Sequence, residues 1–431
     1  MVLLLLLCWA LSNNRKIVPW RVVAWGMALQ LVLGLFVLRT DAGRWIFEKV
    51  NTLFVSLLAF TTEGSAFLFG NLARVQNVPV GPAAPGQYPP FADSLVDSGS
   101  VAAVGAFFAF NVLPTIIFFS SLMAVLYHVG LMQKIVAVVA WVMRKTMKTS
   151  GSETLSASGN IFVGQTEAPL LVRPFVNGMT QSELMAVMTG GMATVAGGVM
   201  AAYIGFLNKD FPDIAGHLLS ASVMSAPAAL VAAKLMVPEP DPEKSETYGE
   251  CKVELEKLDA NVIGAAARGA GDGLMLALNV GAMLLAFIAL ISLLNAVLGW
   301  GGSLVGVEGL TLQGILGKAL APLTWLMGVP WTDAAPVGEL IGVKTVVNEF
   351  VAYKELGGQL GAGAIESSRS VVIATYALCG FSNFSSIAIQ IGGIGGIAPS
   401  RKGDLARLGL RAMVAGTIAC LLTATVAGLL I

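Results

Sequence analysis

Residues 164–169, Gly-Gln-Thr-Glu-Ala-Pro, set an amide, a hydroxyl and a carboxylate side by side in a chain that is otherwise overwhelmingly apolar. Asn160 lies just upstream and Arg173-Pro174 just downstream. A carboxylate at the centre of a bilayer-spanning helix costs about 2.5–3.5 kcal/mol, so such a group faces a cavity, a partner or a ligand. Three further polar groups stand out against the apolar background. They are Thr194 between Gly190-Gly191 and Gly197-Gly198, the triplet Asn348-Glu349-Phe350, and the run Phe381-Ser382-Asn383-Phe384-Ser385-Ser386. Ionised carboxylates only accept hydrogen bonds, so Glu167 and Glu349 suit the hydroxyls or N–H groups of a ligand. Phe381 or Phe384 can pack on a flat ring. Helical spacing predicts that Cys379, Asn383 and Ser386 share one face. The side-chain oxygens of Asn160 and Thr194, with carbonyls freed by a broken backbone, are hard donors for a small cation such as sodium.

Blander roles compete at each place. Glu167 can pair with Arg173, Asn383 and the serines can bond neighbouring helices, and Thr194 can bond its own helix backbone. Glu339 and Lys344 are expected near the surface, and His128 and His217 at span ends rather than in a proton relay. Cys8, Cys251, Cys379 and Cys420 lack the spacing of a zinc site or a disulfide framework. A metal centre or a Ser-His-Asp triad has little material here, so an enzyme is not expected.

The elements that hold these groups are spans. Only 12% of the residues are charged, the net charge is zero and glycines number 49. Soluble domains carry about 25% charged residues, and small residues suit close helix packing in lipid. Nothing points to nucleic acid. The run 1–12 reads as a first span, trimmed at its start, and lacks the positive beginning of a signal peptide. Further spans are expected over 21–38, 102–127, 183–206, 215–236, 274–299, 370–397 and to Ile431. Amphipathic surface helices are expected over 44–60 and 131–148, a Pro/Gly-rich loop over 76–98, an acidic linker over 238–260 and a mixed apolar segment over 310–329. Segments 150–175 and 333–356 are too polar and interrupted for plain spans and read as re-entrant hairpins. The fold class is therefore an all-α polytopic membrane protein, with eight transmembrane helices, two re-entrant hairpins and interfacial helices. With Arg15/Lys16/Arg21 inside, the clusters at 134–148 and 401–407 also fall inside, which puts both termini outside. Span three to span five then mirrors span six to span eight, an inverted repeat with an interrupted segment in each half.

The motifs Gly164-Gln-Thr-Glu-Ala-Pro-Leu-Leu-Val-Arg-Pro174, Asn348-Glu-Phe-Val-Ala-Tyr353 and Cys379-Gly-Phe-Ser-Asn-Phe-Ser-Ser386 resemble those of the concentrative nucleoside transporter family, over nearly the whole chain. The resemblance implies a bacterial inner-membrane symporter, a homotrimer that carries a uridine-like nucleoside with sodium by an elevator movement. It implies a scaffold of residues 1–130 and 261–300, and a transport domain of 149–237 and 310–431. Gln165, Thr166 and Glu167 would face the nucleobase, with Val199 packing near it. Glu349, Asn383 and Ser386 would hold the ribose, and Phe381 would line the pocket. Sodium would be held by the side chains of Asn160 and Thr194 and the carbonyls of Val163 and Val195. Asn160, expected to be missing from proton-coupled relatives, favours sodium, and the hydroxyl of Thr194 serves where some relatives have serine. Proton coupling, a membrane-embedded enzyme and a passive channel are the competing readings.

Overall fold

The computed structural model describes residues 1–73, 77–80, 100–103, 108–207, 210–241, 245, 259–304 and 306–431. After α1 (Val2–Ala10), α2 (Trp20–Arg39) and α3 (Asp41–Phe69), a short antiparallel ribbon pairs Asn77–Val80 with Ser100–Ala103. The first repeat follows: α4 (Leu113–His128), α5 (Leu131–Met147), a hairpin of α6 (Gly151–Gly159) and a 3-10 limb (Ala168–Phe175), a helix broken into α7 (Gln181–Ala193) and α8 (Gly197–Leu207), then α9 (Ile214–Met236). The second repeat has the same order: α10 (Val262–Leu304), α11 (Leu312–Leu326), a hairpin of α12 (Trp331–Val346) and α13 (Glu349–Gly361), a helix broken into α14 (Ser368–Leu378) and α15 (Phe384–Ile397), then α16 (Lys402–Leu430).

Local chemistry fixes the interruptions. Ser150 and Glu153 form a capping box that starts α6, and Thr180 with Glu183 does the same for α7. Asn348 and Asn383 are N-caps, accepting from the backbone N–H of Val351 and Ser386 at 3.0 and 2.9 Å. The polar motifs at Asn348 and Asn383 are thus helix starts inside the protein, where an open backbone end needs a side chain to satisfy it.

The two halves interlock. α9 packs on both α7 and α16, and α16 packs on α14 as well as α7. The second limb of each hairpin lies against the outgoing half of the other repeat's broken helix, α13 on α8 and the 3-10 limb on α15. Burial separates an inner from an outer set. The apolar windows of α7–α8 and α9 are each 89% buried, whereas those of α4 and α10 are 22% and 17% buried and pack against each other. α1 and α2 rest on α9 and α16, and Gln30 of α2 donates to the Met224 carbonyl and Thr423 Oγ1.

Several expectations change. Among the described residues, seven helices are long and apolar enough to cross a membrane, against the eight expected. α1 has 9 residues, about half of what a bilayer needs. The helix expected over 44–60 is α3, which extends beyond both bounds to 29 residues and by length and composition alone also qualifies as a candidate span. The span expected over 102–127 starts later, at a π-helical turn over Phe108–Val112. The span expected over 370–397 is broken, so Cys379 and Asn383 lie in non-helical backbone at the break and share no helical face with Ser386. Lys344, expected near the surface, is fully buried, because its hairpin limb is inserted against α14. Glu339 is half-buried. The expected loop over 76–98 and linker over 238–260 lie largely outside the described residues, as does Cys251.

A close backbone approach lies at Gly380, in the second break. Its φ is +154°, and a Cβ there would sit 2.7 Å from both Cys420 Sγ and the Met192 carbonyl oxygen. The backbone of one break therefore lies directly on the last turn of the other broken helix. Gly380→Ala is expected to destabilise the protein by about 2–4 kcal/mol through strain and overpacking. Gly361→Ala, where a Cβ meets open space, is the control. Melting of the two purified variants in detergent checks this, and equal melting temperatures would contradict it.

Candidate functional site

All eight residues expected to contact a ligand line one cavity of about 110 Å³, between the hairpin tips and the two breaks. The N-cap at Asn348 puts Glu349 in the first turn of α13, where the positive end of the helix dipole favours a carboxylate. Tyr203 of α8 donates to Glu349 Oε1 at 3.0 Å, and Asn383 Nδ2 donates to Oε2 at 2.8 Å. Glu349 thus joins the second hairpin to both broken helices. Tyr203 is itself wedged by stacking on Tyr353, ring centroids 4.4 Å apart, and by an edge contact with Phe350.

The first hairpin supplies the facing wall. Gln165 Nε2 donates to Ser386 Oγ at 3.1 Å, and Gln390 Nε2 donates to Gln165 Oε1 at 3.1 Å. Gln390 also donates to the Met188 carbonyl at 3.0 Å, which fixes its orientation. The tip curls so that Glu167 accepts from the backbone N–H of Gly164, and its side chain is exposed to the cavity. Among the described residues Glu167 makes no ion pair with Arg173. Val199 and Phe381 provide apolar surface, and α10 adds Leu276, Val280 and Met283.

Gln390, Tyr203 and the three α10 side chains were not singled out from the sequence. Gln390 had a usable signal, since it follows Ser386 by four residues on one helix. Tyr203 and the α10 residues look like ordinary apolar-span residues and carry none.

A larger cavity of about 1020 Å³ adjoins the first and shares Glu167, Ala196 and Leu276 with it. Tyr127, His128 and Arg173 line it, together with Arg268, which bridges Asp259 at 2.9 Å and Asp272 at 3.1 Å. Hydrogen bonds from Arg268 hold the Asp259 carboxyl below the usual carboxylate range.

Behind the first tip lie the groups expected to hold a cation. Asn160 is fully buried, and its Oδ1 has no hydrogen-bond partner, while Nδ2 donates to the Ser156 carbonyl at 3.1 Å. A buried amide oxygen left unpaired costs about 1–3 kcal/mol, unless something positive meets it. Thr194 Oγ1 donates to the Gly190 carbonyl at 2.9 Å, which leaves the hydroxyl oxygen free to accept. Gly190 brings the two neighbours together, since a Cβ there would be 3.3 Å from Asn160 Nδ2. The Phe162 carbonyl accepts from Gly197 N–H at 3.0 Å, so the tip backbone is stitched into the break. Neutral oxygens and one orphaned acceptor fit a monovalent cation. Among the described residues, no cluster of His, Cys, Asp and Glu suits a transition metal.

Comparison with known proteins converges on one family. Residues 1–72 match the family model described as the Na+ dependent nucleoside transporter N-terminus, and residues 217–428 match its C-terminus. Residues 109–210 match a model described as nucleoside recognition. The chain is 44% identical to sodium/nucleoside cotransporter 1 of Rattus norvegicus over 439 residues, which is 99% of this chain and 62% of that protein. It therefore spans under two thirds of that relative's length. It is 42% identical to the uncharacterized transporter YutK of Bacillus subtilis (strain 168), covering 100% of this chain and 98% of that one. The solved structure of CNTnw in an inward-facing substrate-bound state superposes with a TM-score of 0.85 at 42% identity, covering 100% of this chain and 96% of that one. A variant of CNTnw in an outward-facing state gives 0.86 at 41% identity, with 100% and 95% covered.

A cation held between Asn160 and Thr194 would stabilise the folded protein by mass action, by about 2.7 kcal/mol at a hundred times its dissociation constant. Replacing choline chloride by sodium chloride is expected to raise the melting temperature of the wild type and to leave Asn160→Ala unchanged. Equal shifts in the two proteins would remove Asn160 from any sodium site.

Proposed function

This chain belongs to the sodium-dependent nucleoside transporter family, and from that premise we propose that it is a symporter that imports nucleosides across the bacterial inner membrane with sodium. The observation that carries this is the convergence of both hairpin tips and both helix breaks on one cavity whose polar groups match a nucleoside. The Glu349 carboxylate, held by Tyr203 and Asn383, accepts from the two ribose hydroxyls. Asn383 and Ser386 complete that end. The Gln165 amide has one donor and one acceptor edge, which is what a uracil-like base presents in reverse. A ligand takes over the Gln165–Ser386 hydrogen bond and leaves Gln390 to hold Gln165 in place. Phe381 and Val199 cover the ring, with Thr166 and Glu167 at its edge.

Asn160, Thr194 and the carbonyls of Val163 and Val195 are the groups that would hold sodium. Bound sodium supplies a fixed positive charge between the first tip and the first break. Asn160 and Val163 belong to the tip segment that carries Gln165, so ordering one end of that segment orders the other. Binding of the two ligands is therefore mutually favourable.

Movement is of the elevator type in this reading, with α4 and α10 as part of the fixed frame of a homotrimer. α1 and α2, assigned to the frame by resemblance, pack on α9 and α16 and travel with the inner set. By the distribution of basic residues the stretch between α1 and α2 and the start of α16 are cytoplasmic, the C-terminus is periplasmic, the larger cavity opens to the cytoplasm, and the chain is inward-facing.

Uptake of radiolabelled uridine into proteoliposomes tests the proposal. An inward sodium gradient is expected to drive accumulation above equilibrium. Glu349→Gln is expected to weaken uridine binding by about 2–3 kcal/mol, or about 30- to 150-fold, through loss of a charged acceptor. Accumulation driven by a proton gradient and indifferent to sodium would overturn the coupling. Equilibration without accumulation would mean a channel.

A further inference from the structure

The equivalent elements of the two repeats treat the same electrostatic problem differently. α7 and α14 both end inside the protein, so each presents unpaired carbonyls and the negative end of a helix dipole there. At α7 the groups that reach these carbonyls are neutral, Thr194 Oγ1 on Gly190 and Cys420 Sγ on Ala193, and Gln390 Nε2 reaches Met188 just before them. At α14, Tyr353 donates to the Thr375 carbonyl at 2.8 Å and Cys420 Sγ to the Cys379 carbonyl at 3.1 Å. The Ala377 carbonyl accepts from Lys344 Nζ at 2.9 Å. Lys344 is completely buried, and among the described residues that carbonyl is its one hydrogen-bond partner. Among the described residues it makes no ion pair, and the Glu349 carboxylate of the same hairpin acts on it only from beyond hydrogen-bonding reach.

Position in the repeat makes the comparison specific. Lys344 lies three residues before the C-cap of α12, Val347, as Ala157 lies three before the C-cap of α6, Asn160. In the first repeat that position is small. Ala157 faces Gly190, and beside them lies the Asn160 amide, whose nitrogen approaches Gly190 and whose oxygen is unpaired. In the second repeat the same position carries a long side chain that delivers an ammonium to the end of the broken helix. We propose that Lys344 is a resident cation, covalently tethered, that does for α14 what a mobile cation does for α7. This chain then needs one mobile cation per protomer, because the second of two equivalent places is permanently filled. The part that concerns the mobile cation rests on the function proposed above, whereas the role of Lys344 at α14 does not.

The test is heat stability of the purified full chain in detergent, read in choline, sodium and methylammonium chloride. Lys344→Ala vacates the place and leaves the Ala377 carbonyl bare. It is expected to melt below wild type in choline and to regain at least about 5 °C in methylammonium, which wild type does not. Sodium is expected to stabilise it more steeply than wild type, with an apparent order near two in place of one. Lys344→Met fills the space without charge and is expected to be destabilised and unresponsive to methylammonium. A Met variant as stable as wild type overturns the proposal, since no charge is then needed. So does an Ala variant whose response to all three salts equals that of wild type. If Lys344→Ala does not fold in any salt, the Met variant alone decides in the same terms. Absence of any sodium effect on wild type condemns the sodium site at Asn160, while the methylammonium arm still judges Lys344.

Discussion

Two helices that stop in the middle of the protein and meet end to side set the terms for everything around them. A broken helix at membrane depth leaves carbonyls that lipid cannot satisfy. Here the two breaks touch. Gly380 lies on Met192 and Ala193, and Cys420 Sγ reaches a carbonyl in each break. Every unusual feature of the core answers that arrangement. The glycine permits the approach, α16 supplies a donor that serves both ends, and the hairpin tips bring side chains to whatever remains open.

The candidate site follows from the same constraint. Asn348 and Asn383 are there first as helix caps, each occupied with a backbone N–H. Because both caps stand beside breaks, the residues after them, Glu349 and Ser386, are delivered to a shared cavity. A carboxylate in such a place would be costly if unsupported. Glu349 is supported three ways, by the start of α13, by Tyr203 and by Asn383. It still keeps acceptor capacity directed at the cavity, since two donors do not saturate its two oxygens. A structural cap and a candidate ligand contact are therefore one construction here.

This is also why the site was legible in the sequence and parts of the fold were not. Gln165, Glu167, Asn348, Glu349 and Asn383 announce themselves because polar groups in an apolar chain need a reason. Tyr203, Leu276, Val280 and Met283 need none, as any span contains such residues, and only the packing of α8 and α10 brings them to the cavity. Apolar length located most spans but leaves α3 open, since its stripe of polar residues coexists with enough apolar length to cross a membrane. Charge alone misplaced Lys344. A lysine looks like a surface residue until its acceptor is known, and that acceptor, the Ala377 carbonyl, is a backbone atom created by a break 33 residues away. Likewise a shared face for Cys379, Asn383 and Ser386 presumed a continuous helix across the very point where it stops.

The division of labour between inner and outer helices has a physical basis in the bonds that are missing. Among the described residues, no hydrogen bond or ion pair links α4 or α10 to the hairpins or the broken helices. The polar contacts of α10 go to its neighbours, such as the Ser121 hydroxyl on the Ala266 carbonyl and Arg268 on Asp259 and Asp272. Where α10 lines the cavity it offers Leu276, Val280 and Met283. Apolar contacts are non-directional, so one packed arrangement can be exchanged for another shifted along the helix without leaving a donor or acceptor bare. The hydrogen bonds that define the cavity, from Gln390 through Gln165 and Ser386 and from Tyr203 to Glu349 and Asn383, all lie within the inner set. A ligand held by them would be carried intact if that set slid along α10, with the wall it leaves making no specific claim on it. That asymmetry, directional bonds on one side of the ligand and slippery surface on the other, is what the proposed elevator movement requires of this chain.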